Sequence, residues 1–221
     1  MSDDPETERQ IAELALDTRP LLVLDVDDVV LEFLRPFIRF LGEQDHELAL
    51  TTFKLNGNIR NRATGELASK EQVAVMVAAF FNAQSEWQTL AEGAAQAIAQ
   101  IAEEAEIVML TAMPHRFRET RRAHLDALGL SYPLVTTESA KGPALKRLRG
   151  STGRPVAFVD DMPTNHDSVL ATVPDAHMFH LMSMPELRSL LPPLPDGVHL
   201  VDTWHDAAPK IATALGLPIK R

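Results

Sequence analysis

The ten residues LLVLDVDDVV, at positions 21–30, decide the fold. An apolar run at 21–24 ends abruptly at Asp25, and two further acids follow at Asp27 and Asp28. A short, continuous apolar run is typical of a strand that is buried on both faces of a parallel sheet. Because ligands bind beyond the carboxyl ends of such strands, these acids occupy the position where chemistry is expected.

Strands and helices alternate along most of the chain. Apolar runs like the first recur at 106–110, 155–159 and 176–181, with weaker runs at 133–136 and 198–201. Helical patterns accompany them at 92–104, 116–128, 140–148 and 205–215. The alternation predicts an α/β protein whose doubly wound parallel sheet is covered by helices on both faces. Counting the weak run at 133–136 makes 155–159 the fourth of these strands.

The alternation is interrupted once, after the first strand. Roughly 80 residues separate the first apolar run from the second, far more than a simple crossover connection needs. Helix-like apolar stretches at 33–41 and 71–81 flank the polar sequence KLNGNIRNRATGE at 54–66. The sequence therefore predicts a core formed by residues 1–31 and 91–221, with an inserted, mostly helical cap at 32–90.

Composition excludes several classes of function. The 221 residues include 21 Lys plus Arg against 31 Asp plus Glu, for a net charge of −10, and no cysteine. The negative charge argues against a nucleic-acid polymer or an anionic membrane as partner. The lack of cysteine excludes disulfides, thiolate catalysis and cysteine-rich zinc sites. An acidic N-terminus and the absence of a membrane-length apolar run predict a cytoplasmic protein. The apolar residues at 73–81 leave a homodimer contact open.

Polar residues follow or precede several of the predicted strands, and folding should gather them in one cleft. They are Asp25, Asp27, Asp28, Thr111, Lys141, Asp160 and Asp161. Converging carboxylates repel one another unless a cation compensates them, and an all-oxygen donor set suits Mg²⁺. Thr111 offers a hydroxyl donor. Lys141 offers a charge that neutralises phosphate oxygens or holds a carboxylate in place, and Lys146 is the alternative lysine.

The histidines show no comparable arrangement. His115, His166, His177 and His180 lack the spacing of metal ligands on one helix. We therefore expect them to be surface or packing residues rather than part of a metal site.

The order of the motifs resembles the haloacid dehalogenase (HAD) superfamily. DVDDVV at 25–30, LT at 110–111, a lone Lys141 and VDDMPTN at 159–165 match its four motifs in sequence. The resemblance covers residues 21–182 and implies a Rossmann-like core, with a helical cap placed between the first two motifs. An Asp-x-Asp by itself more often caps a helix or stabilises a turn, so the prediction depends on all four motifs in order.

The resemblance implies a role for each matching residue. Asp25 is the expected nucleophile, which forms an aspartyl-phosphate, and Asp27 is the expected general acid and then base. Thr111, Ala112 and Lys141 are expected to bind phosphate. The implied ligands of Mg²⁺ are Asp25, the backbone carbonyl of Asp27, and Asp160 or Asp161. Asp161 is favoured as the direct ligand, with Asp160 paired to Lys141 and Asn165 in support, although the reverse order stays open.

The implied activity is a Mg²⁺-dependent phosphatase that acts on a small phosphorylated metabolite, such as a nucleotide or sugar phosphate. Dehalogenating relatives lack the second aspartate, because a halide leaving group needs no proton, so Asp27 favours phosphate chemistry. Relatives that hydrolyse phosphonates carry a special lysine in the cap. The cap here has no convincing counterpart of it, although Lys54 and Lys70 leave that activity open. Lys54, Arg60 and Arg116 are candidate substrate contacts, although for the two cap residues a solvated polar loop is the more ordinary explanation. A phosphomutase and a catalytically silent phosphate-binding or scaffolding module are the alternative functions.

Overall fold

The structure, a computed structural model, describes residues 4–15 and 17–218. Within those residues the strands are β1 (Leu21–Leu24), β2 (His46–Leu48), β3 (Ile59–Asn61), β4 (Glu106–Thr111), β5 (Leu134–Thr136), β6 (Val156–Asp160), β7 (His177–His180) and β8 (Val198–Leu200). The helices are α1 (Pro5–Ala12), α2 (Leu34–Gly42), α3 (Lys70–Asn82), α4 (Gln84–Trp87), α5 (Ala94–Ala102), α6 (Arg118–Ala127), α7 (Lys141–Arg149), α8 (Pro163–Thr172) and α9 (Trp204–Ala214). Short 3₁₀ turns lie at His115–Phe117 and Pro185–Leu190.

Six strands form one parallel sheet in the order β5-β4-β1-β6-β7-β8. The chain first extends the sheet from β1 through β4 to β5, and then returns to the other side of β1 through β6. This reversal confirms the predicted doubly wound sheet. It also creates a crevice at the carboxyl end of β1, where Leu24 pairs with Met109 of β4 and Val159 of β6.

Both faces of the sheet are covered by helices. In β1, Leu22 and Leu24 pack into a cluster with α5, α6 and α9, while Leu21 and Val23 pack into a second cluster with α1, α7 and α8. Successive residues of a strand point to opposite faces, so a strand covered on both sides needs apolar residues throughout. The continuous run at 21–24 follows from this requirement.

The chain between β1 and α5 packs around its own aromatic cluster. It contains α2, α3, α4 and the antiparallel hairpin of β2 and β3. Phe37, Phe40 and Phe80 form the centre of the cluster, with ring centroids of Phe37 and Phe80 5.1 Å apart. The segments through which the chain enters and leaves this region pair with each other, since the amide of Ala91 donates to the carbonyl of Val30 at 2.9 Å. We refer to residues 32–90 as the inserted segment.

Several elements carry no clear pattern in the sequence. They are α1, α4, α8 and the hairpin of β2 and β3, whereas the predicted strands and helices are present with ends that differ by a residue or two. α1 is mostly polar and is held by tertiary hydrogen bonds: the Gln10 amide donates to the Thr136 hydroxyl, and the Thr7 hydroxyl donates to the Thr136 carbonyl. Such contacts replace the apolar stripe that periodicity detects.

The described helices include none that is both long and apolar enough to cross a bilayer.

Gly142 allows α7 to lie directly against α8. A Cβ atom at this position would lie 2.1 Å from the backbone oxygen of Ser168 and 2.4 Å from the Thr172 hydroxyl. The amide of Gly142 also donates to the Ser168 hydroxyl at 2.9 Å. The close contact therefore leaves no room for a side chain at this point of the helix pair.

We predict that Gly142→Ala lowers the free energy of unfolding by about 3 kcal/mol, because backbone must move to admit the methyl group. Gly42→Ala is the matched control, since its Cβ would meet only the end of the flexible Arg62 side chain, at 3.3 Å. The control should change stability by less than about 1 kcal/mol. Urea denaturation measures both; equal stability of the two variants would contradict the packing described.

Candidate active site

Three acidic side chains meet at the carboxyl ends of β1 and β6. Carboxylate oxygens of Asp25, Asp160 and Asp161 all lie within 4.8 Å of one another, and the three residues are buried. They converge because β1 and β6 are hydrogen-bonded neighbours and each acid ends or directly follows its strand. The sequence-predicted group after the first and fourth strands is thus brought together.

Asp25 is held through one carboxylate oxygen only. Its Oδ1 accepts a hydrogen bond from the backbone amide of Val26 and lies 2.7 Å from the ammonium of Lys141. No donor among residues 4–15 and 17–218 reaches Oδ2. Burial raises the pKa of Asp25 to about 7 against the opposing charge of Lys141. Asp25 also lines the cavity.

Lys141 lies behind the acids and is fully buried. Its Nζ is 2.7 Å from Oδ1 of Asp25 and donates to Oδ2 of Asp160 at the same distance. Burial would lower the pKa of Lys141, but the charges of Asp160 and Asp25 outweigh it and hold that pKa above its usual value. Lys141 is absent from the cavity wall, so here it holds carboxylates in place. Lys146 is exposed on the same helix, which removes the alternative lysine.

Asp160 and Asp161 differ in their partners. Asp160 accepts hydrogen bonds from Lys141, the Met162 amide at 2.8 Å and the Asn165 side chain at 2.9 Å. For Asp161, by contrast, the described part of the chain supplies no donor to the carboxylate. Burial, followed by the charges of Asp160 and Asp25, raises the pKa of Asp161 well above its usual value. Asp161 lines the cavity, whereas Asp160 does not.

This acidic cluster fits a metal site. Lys141 pairs with two of the three buried carboxylates, so the group is short of positive charge, and none of the described residues donates to the buried carboxylate of Asp161. A bound cation would satisfy both conditions, because buried anions are stable only when charge or hydrogen bonds compensate them.

Asp27 has a separate set of partners. Its Oδ1 accepts hydrogen bonds from Nε2 of Gln88 and Nη2 of Arg121, each at 2.9 Å, and the other carboxylate oxygen has no donor in the described residues. Arg121 is fully buried on α6, with its guanidinium 5.7 Å from the ring centroid of Phe81. Sequence analysis missed Arg121 and Gln88, since neither lies in a motif and Arg121 is one of several arginines on its helix.

Asp28 shapes the loop between β1 and α2. Its backbone is left-handed, with φ of 59°, and its carboxylate accepts hydrogen bonds from the amides of Phe33 and Leu34 and from the hydroxyl of Ser183. These contacts fix the entry into α2. Asp28 therefore has a clear structural role beside the acids discussed above.

Thr111 and Ala112 lie where β4 ends, on the cavity wall. Thr111 is buried and its hydroxyl oxygen accepts a hydrogen bond from the Met113 amide at 3.3 Å, while Ala112 is exposed. Both positions therefore face the same space as Asp25, as their place after the second predicted strand implies.

The three candidate substrate residues are separated by the structure. Lys54 is exposed and lines the cavity, which has a volume of about 390 Å³. Arg60 lies on β3, with its guanidinium 3.9 Å from Glu47 across the hairpin, and does not line that cavity. Arg116 also lies outside it, because its guanidinium is drawn over the Phe117 ring at 4.5 Å. The expected approach of Arg60 and Arg116 to the site is therefore not seen.

Solved structures of several bacterial proteins are similar to this chain across most of its length. A predicted phosphatase from Clostridium acetobutylicum superposes with a TM-score of 0.59 at 11% identity, over 89% of this chain and 100% of that one. YfnB from Bacillus subtilis, named a HAD-hydrolase and bound to magnesium, has a TM-score of 0.59 at 13% identity, over 91% and 100%. A HAD family hydrolase from Deinococcus radiodurans R1, with bound phosphate and sodium, has a TM-score of 0.56 at 14% identity, over 92% and 100%.

The chain has the haloacid dehalogenase fold. No protein-family model and no curated protein matches its sequence. Within this HAD fold, the four sequence motifs lie at the places that the resemblance implied.

Two histidines are buried beneath the acids of the HAD core. Nε2 of His166 lies 3.1 Å from the backbone oxygen of Asp160. The rings of His166 and His180 pack edge to face, with their centroids 6.0 Å apart. Neither ring nitrogen of His180 has a hydrogen-bond partner in the described structure. Burial, reinforced by His166 and Arg188 and opposed by Asp160, lowers the pKa of His180 to about 4. The expectation of packing residues fits both positions.

The lowered pKa of His180 predicts a pH-dependent stability. Since the unfolded chain binds this proton near pH 6.5 and the folded chain only near pH 4, the contribution is present above pH 6.5 and lost as pH falls toward 4. The contribution amounts to about 3 kcal/mol. His180→Leu should therefore lose less stability than the native protein between pH 7 and 4, as measured by urea denaturation. Parallel stability curves for the two proteins would contradict this assignment.

Proposed function

We propose that the protein is a Mg²⁺-dependent phosphatase that hydrolyses a small phosphate monoester through an aspartyl-phosphate on Asp25. The observation that carries the proposal is the arrangement of Asp25, which lines the cavity: Lys141 and the Val26 amide hold Oδ1, while Oδ2 has no donor among the described residues. A carboxylate that is fixed through one oxygen presents the other as a nucleophile. The HAD fold and the order of the four motifs support the same chemistry.

In the first step, Oδ2 of Asp25 attacks phosphorus, and the bond from phosphorus to the ester oxygen breaks. Asp27 donates a proton to the departing oxygen, so that a neutral alcohol leaves. In the second step, Asp27 accepts a proton from water, which attacks the aspartyl-phosphate and releases inorganic phosphate. Gln88 and Arg121 hold Oδ1 of Asp27, and the remaining oxygen is available for the proton.

Charge stabilisation comes from the residues around the phosphoryl group. The Thr111 hydroxyl and the Ala112 amide would donate to its oxygens from the end of β4. Lys141 acts through Asp25 and Asp160, because its ammonium lies 2.7 Å from a carboxylate oxygen of each and holds both side chains in place. Lys54, the exposed cation on the cavity wall, would attract the dianionic substrate to a protein of net charge −10. Preorganised charge of this kind is the main requirement of phosphoryl transfer.

The residues that would hold Mg²⁺ are Asp25, Asp161 and the backbone carbonyl of Asp27. When bound, Mg²⁺ supplies positive charge to the phosphoryl oxygens. We favour Asp161 over Asp160 as direct ligand because Asp160 already accepts three hydrogen bonds. Of the similar structures, that from Bacillus subtilis holds magnesium, and that from Deinococcus radiodurans holds phosphate and sodium.

We also propose that residues 32–90 act as a cap over a core of residues 1–31 and 91–221. The support is the separate aromatic cluster of the inserted segment and the position of its residues on one wall of the cavity. A cap in this position excludes water from the reaction and contacts the leaving group.

Replacing the nucleophile gives the most direct test of the reaction. Asp25→Asn keeps the shape of the side chain but removes its charge, so phosphate release from phenyl phosphate should fall by roughly 10³-fold or more. Asp167→Asn, the same change at an exposed position of α8, should leave the rate unchanged. Free phosphate also separates a hydrolase from a phosphomutase. A native-like rate in Asp25→Asn would exclude the mechanism.

The two neighbouring acids should respond differently to substitution. Asp161→Asn should weaken Mg²⁺ binding by roughly 10- to 100-fold in isothermal titration calorimetry and raise the Mg²⁺ concentration needed for activity. Asp160→Asn should instead lower the unfolding temperature, because it removes a negative charge that pairs with the buried ammonium of Lys141. Chelation with EDTA should abolish phosphate release, and added Mg²⁺ should restore it. Unchanged Mg²⁺ affinity in Asp161→Asn would contradict this ligand assignment.

A further inference from the structure

The two walls of the active-site cavity differ in chemistry. Among the described residues, the polar side chains that line it, apart from Lys54, lie at the carboxyl ends of β1, β4 and β6 or shortly after them: Asp25, Asp27, Asp28, Thr111, Asp161 and Asn165. The wall formed by the inserted segment is apolar. Its residues are Phe33, Leu34, Leu50, Phe53, Leu55, Val77 and Phe81.

The apolar wall is more than the edge of a packed core. Leu50, Phe53, Leu55 and Val77 are only partly buried, so their side chains keep surface that faces the cavity. Among the lining residues that the inserted segment contributes in the described chain, Lys54 is the single polar one. From the core side, Met113, Pro114 and Met162 extend the apolar surface.

The aromatic part of this wall is held rigidly. The Phe33 ring packs against Phe37 and Phe80 with centroid distances of 5.5 and 5.4 Å. Phe81 packs against Phe117 at 5.4 Å. A surface that is fixed before binding loses little side-chain entropy when a ligand arrives.

We propose that this wall binds the alcohol part of the substrate, and that the alcohol is apolar: an aromatic ring or a branched alkyl group of similar size. The inference rests on the proposed phosphatase function and narrows its substrate class. A sugar or nucleoside would lose water from several hydroxyl groups at a wall that offers almost no side-chain partners, and each such loss is unfavourable. An aromatic ring gains burial and favourable ring contacts there.

The size of the cavity agrees with this class of ligand. Its volume of about 390 Å³ lies near the lower end of the range for small-molecule sites. A phosphoryl group joined to one ring fits within this volume.

The substrate test compares two phosphate esters of primary, unactivated alcohols, so that leaving-group acidity does not decide the outcome. With Mg²⁺ present, kcat/KM for 2-phenylethyl phosphate should exceed that for glycerol 3-phosphate by at least about 10-fold. Val77→Asn should remove most of this preference and affect glycerol 3-phosphate little. Val75→Asn is the matched control, because Val75 lies on the same helix and is 68% exposed. Phe53→Ala serves as a second variant if Val77→Asn fails to fold.

A binding measurement tests the wall without metal or chemistry. The fluorescence of 2-naphthol, titrated with the metal-free protein, should show saturable binding to the native protein, Asp25→Asn and Val75→Asn, and binding weakened at least about 5-fold in Val77→Asn or Phe53→Ala. Phosphate release that favours glycerol 3-phosphate, together with no 2-naphthol binding, would overturn the inference and leave the phosphatase function standing. Binding of 2-naphthol that depends on Val77, without phosphate release from any ester, would overturn the phosphatase function and retain the apolar site.

Discussion

The contact of the Lys141 ammonium with Asp25 and Asp160 is the interaction on which the rest of the site depends. Two carboxylates lie side by side at the ends of adjacent strands, and each would be costly to bury as an anion without a cation beside it. Lys141 is the first residue of α7, and the next residue, Gly142, brings that helix directly against α8. Helix packing therefore fixes the position of the charge.

The same contact leaves the acidic cluster short of positive charge. Lys141 compensates part of the charge of three acids, Asp160 accepts three hydrogen bonds, and Asp161 has no donor in the described chain. Asp27 instead forms an ion pair with a different buried cation, Arg121. Each acid thus has a distinct environment, which is how one site gives chemically similar groups different roles. The apolar lining that the inserted segment adds to the same cavity would select the part of a ligand that does not react.

Sequence analysis predicted most of the core because its features are local. A run such as 21–24 identifies a strand buried on both faces, and residues that directly follow such strands meet at one edge of the sheet. Asp25, Thr111 and Asp161 could be found in this way. Arg121 could not, because it reaches Asp27 from a helix 94 residues further along, and no local pattern distinguishes it from its neighbours. The apolar wall was missed for the same reason, since its residues come from two helices and an irregular loop.

The polar stretch of the inserted segment also shows why the sequence alone could not decide which residues line the cavity. Lys54 and Arg60 are six residues apart and equally plausible as substrate contacts in the sequence. Only the hairpin of β2 and β3 separates them, since it pairs Arg60 with Glu47 and leaves Lys54 on the cavity wall. A short hairpin of this kind has little hydrophobic alternation to reveal it.

We propose that Asp25 and Asp161, with Lys141 behind them, form one binding site for a divalent cation. Crystals grown with Mn²⁺, which accepts the same oxygen ligands as Mg²⁺, would test it through anomalous scattering. We predict one strong anomalous peak, roughly 2 Å from a carboxylate oxygen of Asp25 and from one of Asp161. A cluster without any peak, or with Mn²⁺ bound only elsewhere on the molecule, would contradict the account.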